Sequence, residues 1–149
     1  MRPTGKHPLL DLAFQRAKLH VTMATRQIIK PAKSPAAVGP YNHAVRVGDL
    51  LFCAGQIPID PATGNLVSGD IKAQTERVLQ NVKAILDDQK LTFANVVKST
   101  VFLTDLANFA GMNEIYAKFF TDNFPARSTV QVAGLPKGAS VEIEVVAHF

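Results

Sequence analysis

The chain has 149 residues, with 16 basic and 12 acidic side chains, a formal net charge of +4 and an apolar fraction of 47%. That length suits one domain with a real core, and the composition excludes a disordered chain. No apolar run approaches the ~20 residues of a membrane-spanning helix, which argues against a membrane partner.

A single cysteine, Cys53, excludes an intramolecular disulfide and a cysteine-rich zinc site, and weakly favours a reducing compartment. The histidines His7, His20, His43 and His148 are scattered without metal-ligand spacing, so no metal site is expected. The charge is uneven. Residues 1–23 hold Arg2, Lys6, Arg16 and Lys18 against Asp11, while the remainder holds 12 basic and 11 acidic residues. A near-neutral body argues against strong electrostatic capture of nucleic acid, which needs clustered Lys and Arg.

Residues 1–25 read as an N-terminal extension to a domain over 26–149. Leu9, Leu10, Ala13, Phe14 and Ala17 share one helical face, and the segment is basic and acid-poor. Such a pattern fits a mitochondrial presequence, or else an extra helix docked on the body, or a true start at Met23. The expected location is accordingly cytoplasmic or mitochondrial.

Arg26 to Lys30 reads as a short strand. The segment from Pro31 to Tyr41 holds three prolines and a glycine and must be a loop, since proline withholds its N–H and bars helix before it. Tyr41 is either a pocket wall with a polar tip or a cap on the core edge. His43–Val47, Gly48-Asp49 and Leu50–Ala54 form a predicted β-hairpin whose second strand is apolar on both faces and therefore central. Gly55-Gln56 ends it, and a glycine there permits close approach of a ligand or backbone. Ile57 to Val67 is a loop. Asp70 to Lys90 is the clearest helix, with Ile71, Thr75, Val78, Leu79, Val82, Ile85 and Leu86 in one stripe.

Val96 to Thr104 is a strand in which Val97, Ser99, Val101 and Leu103 alternate with Lys98, Thr100 and Phe102. Asn108 to Asn123 is a second helix, with Phe109, Met112, Tyr116, Phe119 and Phe120 inward. Asn113 lies off that stripe, as a surface amide or a pocket donor. The C-terminal stretch reads as strand, turn and strand. Arg127, Thr129 and Gln131 alternate with Ser128, Val130 and Val132; Leu135-Pro136-Lys137-Gly138 has turn chemistry; Val141, Ile143 and Val145 point inward and Glu142 and Glu144 outward.

This order predicts an α+β two-layer sandwich, a mixed sheet with two helices on one face. Val130, Val132, Val141 and Ile143 are expected on the other face, which copies of the chain would cover in a closed oligomer.

Ala37-Val38-Gly39-Pro40-Tyr41, Cys53-Ala54-Gly55-Gln56-Ile57-Pro58, Val97 to Leu103, Asn113-Glu114-Ile115-Tyr116, and Phe124-Pro125-Ala126-Arg127 through Leu135-Pro136-Lys137 to Val141-Glu142-Ile143-Glu144 together resemble the Rid/YjgF family of reactive-intermediate deaminases. The resemblance runs from about Arg26 to Phe149. It implies a chorismate-mutase-like fold and a homotrimer with sites between subunits. It also implies hydrolysis of 2-imino acids or their enamine tautomers, such as 2-iminopropanoate and 2-iminobutanoate, to 2-keto acids and ammonia. No cofactor is implied.

Carried over by residue, the implied catalytic residues are Arg127 and Glu142, and the substrate-binding residues are Tyr41, Ala54, Gly55, Asn113, Arg127 and Thr129. A guanidinium grips a small carboxylate bidentately. An iminium carbon is already electrophilic, so the site need only place a water and accept its proton, a task for Glu142 helped by the Thr129 carbonyl. Family members often carry cysteine in place of Thr129, and serine or threonine in place of Ala54. In a straight hairpin centred near Pro136, Arg127 faces Val145, leaving roughly 10 Å along the strands to Glu142. Residue pattern alone does not choose Glu142 over Glu144. Two other classes stand beside this one. Single-stranded RNA cleavage or translation inhibition is disfavoured by the balanced charge and the lack of a stacking platform. A non-catalytic acid-binding or chaperone-like trimer would keep the pocket without turnover.

Overall fold

The computed structural model describes residues 25–37 and 39–149; the predicted extension helix and Val38 lie outside them. Chain order is β1 (Arg26–Ile29), β2 (Ala44–Val47), β3 (Leu50–Gln56), α1 (Ile71–Asp88), β4 (Val96–Leu103), α2 (Phe109–Phe119), β5 (Ala126–Gln131) and β6 (Val141–His148). The six strands form one sheet in the order β1-β2-β3-β6-β4-β5. Every neighbouring pair is antiparallel except β4–β5, so the sheet is mixed and both helices pack on one face.

The predicted C-terminal hairpin does not form. Strand β4 lies between β5 and β6, pairing parallel to one and antiparallel to the other. The turn at Pro136–Gly138, where Lys137 (φ 57°) and Gly138 (φ 74°) are both left-handed, therefore ends a crossover. Local alternation shows which residues are strands, but a partner supplied by a distant segment cannot be read from a turn signal. The level is nonetheless as expected: Ser99 pairs with both Arg127 and Val145.

Helix α1 forms as its stripe demands. The Asp70 side chain accepts from the Ala73 N–H at 3.0 Å and caps its start. The stripe from Thr75 to Leu86 is buried against Leu51, Cys53, Val141, Ile143, Val145 and Ala147. Val141 and Ile143 thus belong under the helices, not on the open face. On β4 the register shifts between Val96 and Lys98, so Val96 is buried while Val97 is 48% exposed, reversing the expected alternation at that end. Strand β3 is interior to the sheet as expected, yet Phe52 on the open face remains 46% exposed. Phe109, expected inward, is also exposed. Burial pushes the Cys53 thiol up to about 12, which makes it inert.

Candidate active site

Two clusters of polar side chains stand out, and the predicted site residues divide between them. The first lies along β5, the sheet's edge strand. Arg127 and Thr129 share the helix-side face of β5 with Ser99 and Val101 of β4. The Arg127 guanidinium carbon sits 4.5 Å from the Tyr116 ring centroid and 5.7 Å from that of Phe109. Phe109, Asn113 and Tyr116 follow one another at helical spacings of four and three residues, so Asn113 belongs to the same face of α2. Among the described residues the ion pairs join Lys72 to Glu114 and Lys83 to Asp87, and no carboxylate pairs with Arg127. Its donor edge is left for something else.

Thr129 completes this edge. Its hydroxyl is buried without a hydrogen-bond partner among the described residues. The Val132 N–H donates to the Leu103 carbonyl at 2.9 Å, so alternate β5 residues aim their backbone groups into the pair. By that alternation Arg127, Thr129 and Gln131 turn theirs to the open edge.

The second cluster is a cavity of about 230 Å³ over the open sheet face, lined by Tyr41, Ala54, Gly55, Ile57, Pro136 and Glu142. The register between β3 and β6 slips between Cys53 and Gln56, and this bulge lifts Ala54 and Gly55 toward the cavity. Gln56 secures it, donating from Nε2 to the Ala54 carbonyl at 3.0 Å. A Cβ at Gly55 would stand 2.7 Å from the Glu142 carboxyl carbon, so any side chain there displaces that of Glu142. Burial holds the Glu142 carboxyl above the usual carboxylate range, and the neighbouring Glu144 charge raises it further. Glu144 is exposed and lines no part of the cavity, which separates the two glutamates that sequence pattern could not.

Glu142 pairs across β4 with Phe102, and Phe102 with Val130, three residues beyond Arg127. With an intervening strand, Arg127 and Glu142 lie roughly 14 Å apart at their Cα atoms. They also point from opposite faces of the sheet. One protomer therefore brings Tyr41, Ala54, Gly55 and Glu142 together, and separately Arg127, Thr129 and Asn113.

Several contributors were not singled out from sequence. Ile57 and Pro136 complete the cavity wall. Asn81, buried on α1, donates from Nδ2 to the Ile57 carbonyl at 3.2 Å and the Ile59 carbonyl at 2.9 Å, fixing that wall. A polar residue inside an apolar helical stripe was the available signal. Tyr116 read only as core. A wider groove of about 280 Å³ beside Ala32 and Lys33 is lined by Lys83 and Asp87, which pair with one another, and it gathers none of the predicted residues.

The family model described as Endoribonuclease L-PSP matches residues 31–149. The chain belongs to the Rid/YjgF family. Among Rid/YjgF proteins it is 52% identical over 125 residues to a RutC family protein of Haemophilus influenzae, covering 81% of this chain and 95% of that one. It is 48% identical over 122 residues to the 2-iminobutanoate/2-iminopropanoate deaminase of Homo sapiens, covering 82% and 89%. The crystal structure of E. coli TdcF with bound serine superposes with a TM-score of 0.79 at 43% identity, covering 83% of this chain and 98% of TdcF. The mixed sheet with its two helices is the Rid fold.

Proposed function

We propose that this chain hydrolyses small 2-imino acids or their enamine tautomers, 2-iminopropanoate and 2-iminobutanoate among them, to 2-keto acids and ammonia. The human relative named for that activity supports the reaction class. The observation that carries the reading is the state of Arg127: a guanidinium held by aromatic faces, with no acid partner among the described residues. Such a group binds a substrate carboxylate bidentately and fixes its orientation.

The reaction then follows from the chemistry of the iminium carbon. Glu142, as carboxylate, takes a proton from a water while the hydroxyl adds to that carbon. The resulting carbinolamine receives the proton on nitrogen, the C–N bond breaks and ammonia leaves as the carbonyl forms, the hydroxyl proton passing to the Glu142 carboxylate and from there to solvent. Hydrolysis of the protonated imine thus balances with one water and needs no covalent intermediate. The Thr129 carbonyl would orient the water, and Tyr41 and Asn113 would shape the pocket around the nitrogen.

The two clusters act together only if they come from different copies. We place the site in clefts of a homotrimer, with Arg127, Thr129 and Asn113 from one subunit facing Glu142, Tyr41, Ala54 and Gly55 of its neighbour. Ile28 (50% exposed), Phe52 and Val130 give the assembly apolar surface to bury.

Ammonia release from an enzymatically generated 2-imino acid tests the reaction. Turnover that vanishes in Arg127→Ala, with the assembly intact, supports the reading, and turnover that persists discards it. Cleavage of single-stranded RNA rests on names alone, those of the family model and of related structures from Thermotoga maritima and Entamoeba histolytica. Salt-dependent RNA binding by the unmodified protein would bring it forward.

A further inference from the structure

We propose that Tyr116 is a positioning residue for Arg127, a ring backed on one side by Phe120 so that its other side carries the guanidinium. This rests on the reading of Arg127 as the carboxylate anchor.

The column starts at Phe93, half-buried against the core. Phe93 meets Phe120 edge-on, with centroids 4.8 Å apart at 73°, and meets Phe119 at 5.4 Å. Phe120 stacks on Tyr116 at 4.2 Å and 16°, and it is buried at the end of α2. Two groups this close to one ring centroid take opposite faces, so Arg127, at 4.5 Å, occupies the face that Phe120 leaves. The phenol is fixed as well. Tyr116 Oη and Ser99 Oγ share a hydrogen bond of 2.8 Å, both residues being buried. Ser99 is the direct neighbour of Arg127 across the β4–β5 pair, so ring and guanidinium are referenced to the same point of the sheet. Burial raises the phenol's pKa against the opposing pulls of Ser99 and Arg127, so it stays a neutral ring and does not form an ion pair with the arginine.

An exposed arginine samples many rotamers, and each must be given up when a ligand binds. A guanidinium laid against a fixed ring has surrendered much of that freedom beforehand, and its donor edge remains open. The effect falls on binding, not on the proton transfer that Glu142 would perform.

The test measures the dissociation constant of a 2-keto acid, 2-oxobutanoate, together with KM, kcat and melting temperature of the full chain. In Tyr116→Leu the keto acid binds about tenfold more weakly and KM rises in step, with kcat little changed. Tyr116→Phe keeps the ring and loses the Ser99 bond. It melts at a lower temperature and binds within about twofold of wild type. Should Tyr116→Leu fail to fold, Tyr116→Met, nearer in volume, is read by the same criterion.

A folded Leu or Met variant with wild-type affinity overturns the proposal. So does a Phe variant as weakened as Leu, since it retains the face on which the argument depends. Arg127→Ala run alongside separates the two readings. If it binds keto acid normally, the anchor itself is wrong. If it loses binding while Tyr116→Leu does not, the anchor stands and the positioning role falls.

Discussion

The β5–α2 edge and the pocket over β3 and β6 meet the same problem, an ionisable group near apolar surface, in opposite ways. At the edge a permanent charge is supported by π faces and left without a counter-ion among the described residues. In the pocket a carboxylate is crowded by burial and by a second acid, so its neutral form gains ground. The first arrangement suits holding an anion. The second suits taking up a proton. Each lacks what the other has, and a single protomer keeps them on opposite faces of one sheet.

The largest effects come from deleting either half. Arg127→Ala is expected to weaken keto-acid binding by about 10²–10³-fold, the scale for truncating one partner of a buried, hydrogen-bonded charge pair. Arg127→Lys recovers part of this, because charge survives but the planar fork does not. Glu142→Gln lowers kcat by about 10²–10⁴-fold, as expected for loss of a general base, while keto-acid binding is retained. The reverse pattern, with Arg127 variants hitting kcat alone and Glu142 variants hitting binding alone, would interchange the two assignments.

Gly55→Ala is a sharper probe. The added methyl would collide with the Glu142 carboxyl group, so the side chain must move off the cavity floor. A folded protein with kcat reduced by about tenfold or more, and with binding close to normal, is the expected outcome. An unchanged kcat would mean that the position of Glu142 does not matter.

The pH dependence gives a smaller effect with a defined sign. The base works as carboxylate, so kcat/KM falls as pH drops through the Glu142 pKa. That pKa is raised, so the acid limb should lie above the 4.5 of an unperturbed glutamate. Glu144→Gln removes the like charge and moves the limb to lower pH. The movement is limited, since burial is the larger cause. A limb that stays fixed in Glu144→Gln denies the coupling.

The smallest effect on turnover is expected at Asn81. Asn81→Ala leaves the Ile59 carbonyl without its donor and the Ile57 carbonyl with the Ile59 N–H alone, and costs about 1–3 kcal/mol of stability by chemical denaturation. The binding constant should change little.

What sequence could reveal follows the range of the interactions involved. Helix α1 was legible because its stripe and its length are both local signals. The alternation of Arg127 and Thr129 against Ser128 and Val130 was legible for the same reason. The insertion of β4 between β5 and β6 was not, because pairing is decided by distant segments competing for one sheet position. Val141 and Ile143 belong under the helices, as their inward alternation indicates, and no local signal supported placing them on the open face. Site residue types came from the family resemblance. Their division between two faces came only from the sheet order. The register slip at Val96–Lys98 and the bulge at Ala54-Gly55 left no mark in an alternation count, since each inserts a residue where the pattern already looked plausible.

Subunit complementation tests most directly whether the site is shared. Arg127→Ala and Glu142→Gln chains, each inactive alone, are unfolded, mixed in equal amounts and refolded together. If one chain supplies the anchor and its neighbour the base, mixed assemblies regain about a quarter of wild-type ammonia release, because random pairing rebuilds that share of the clefts. Mixed assemblies that form and stay inactive would place both groups in one chain and contradict the account.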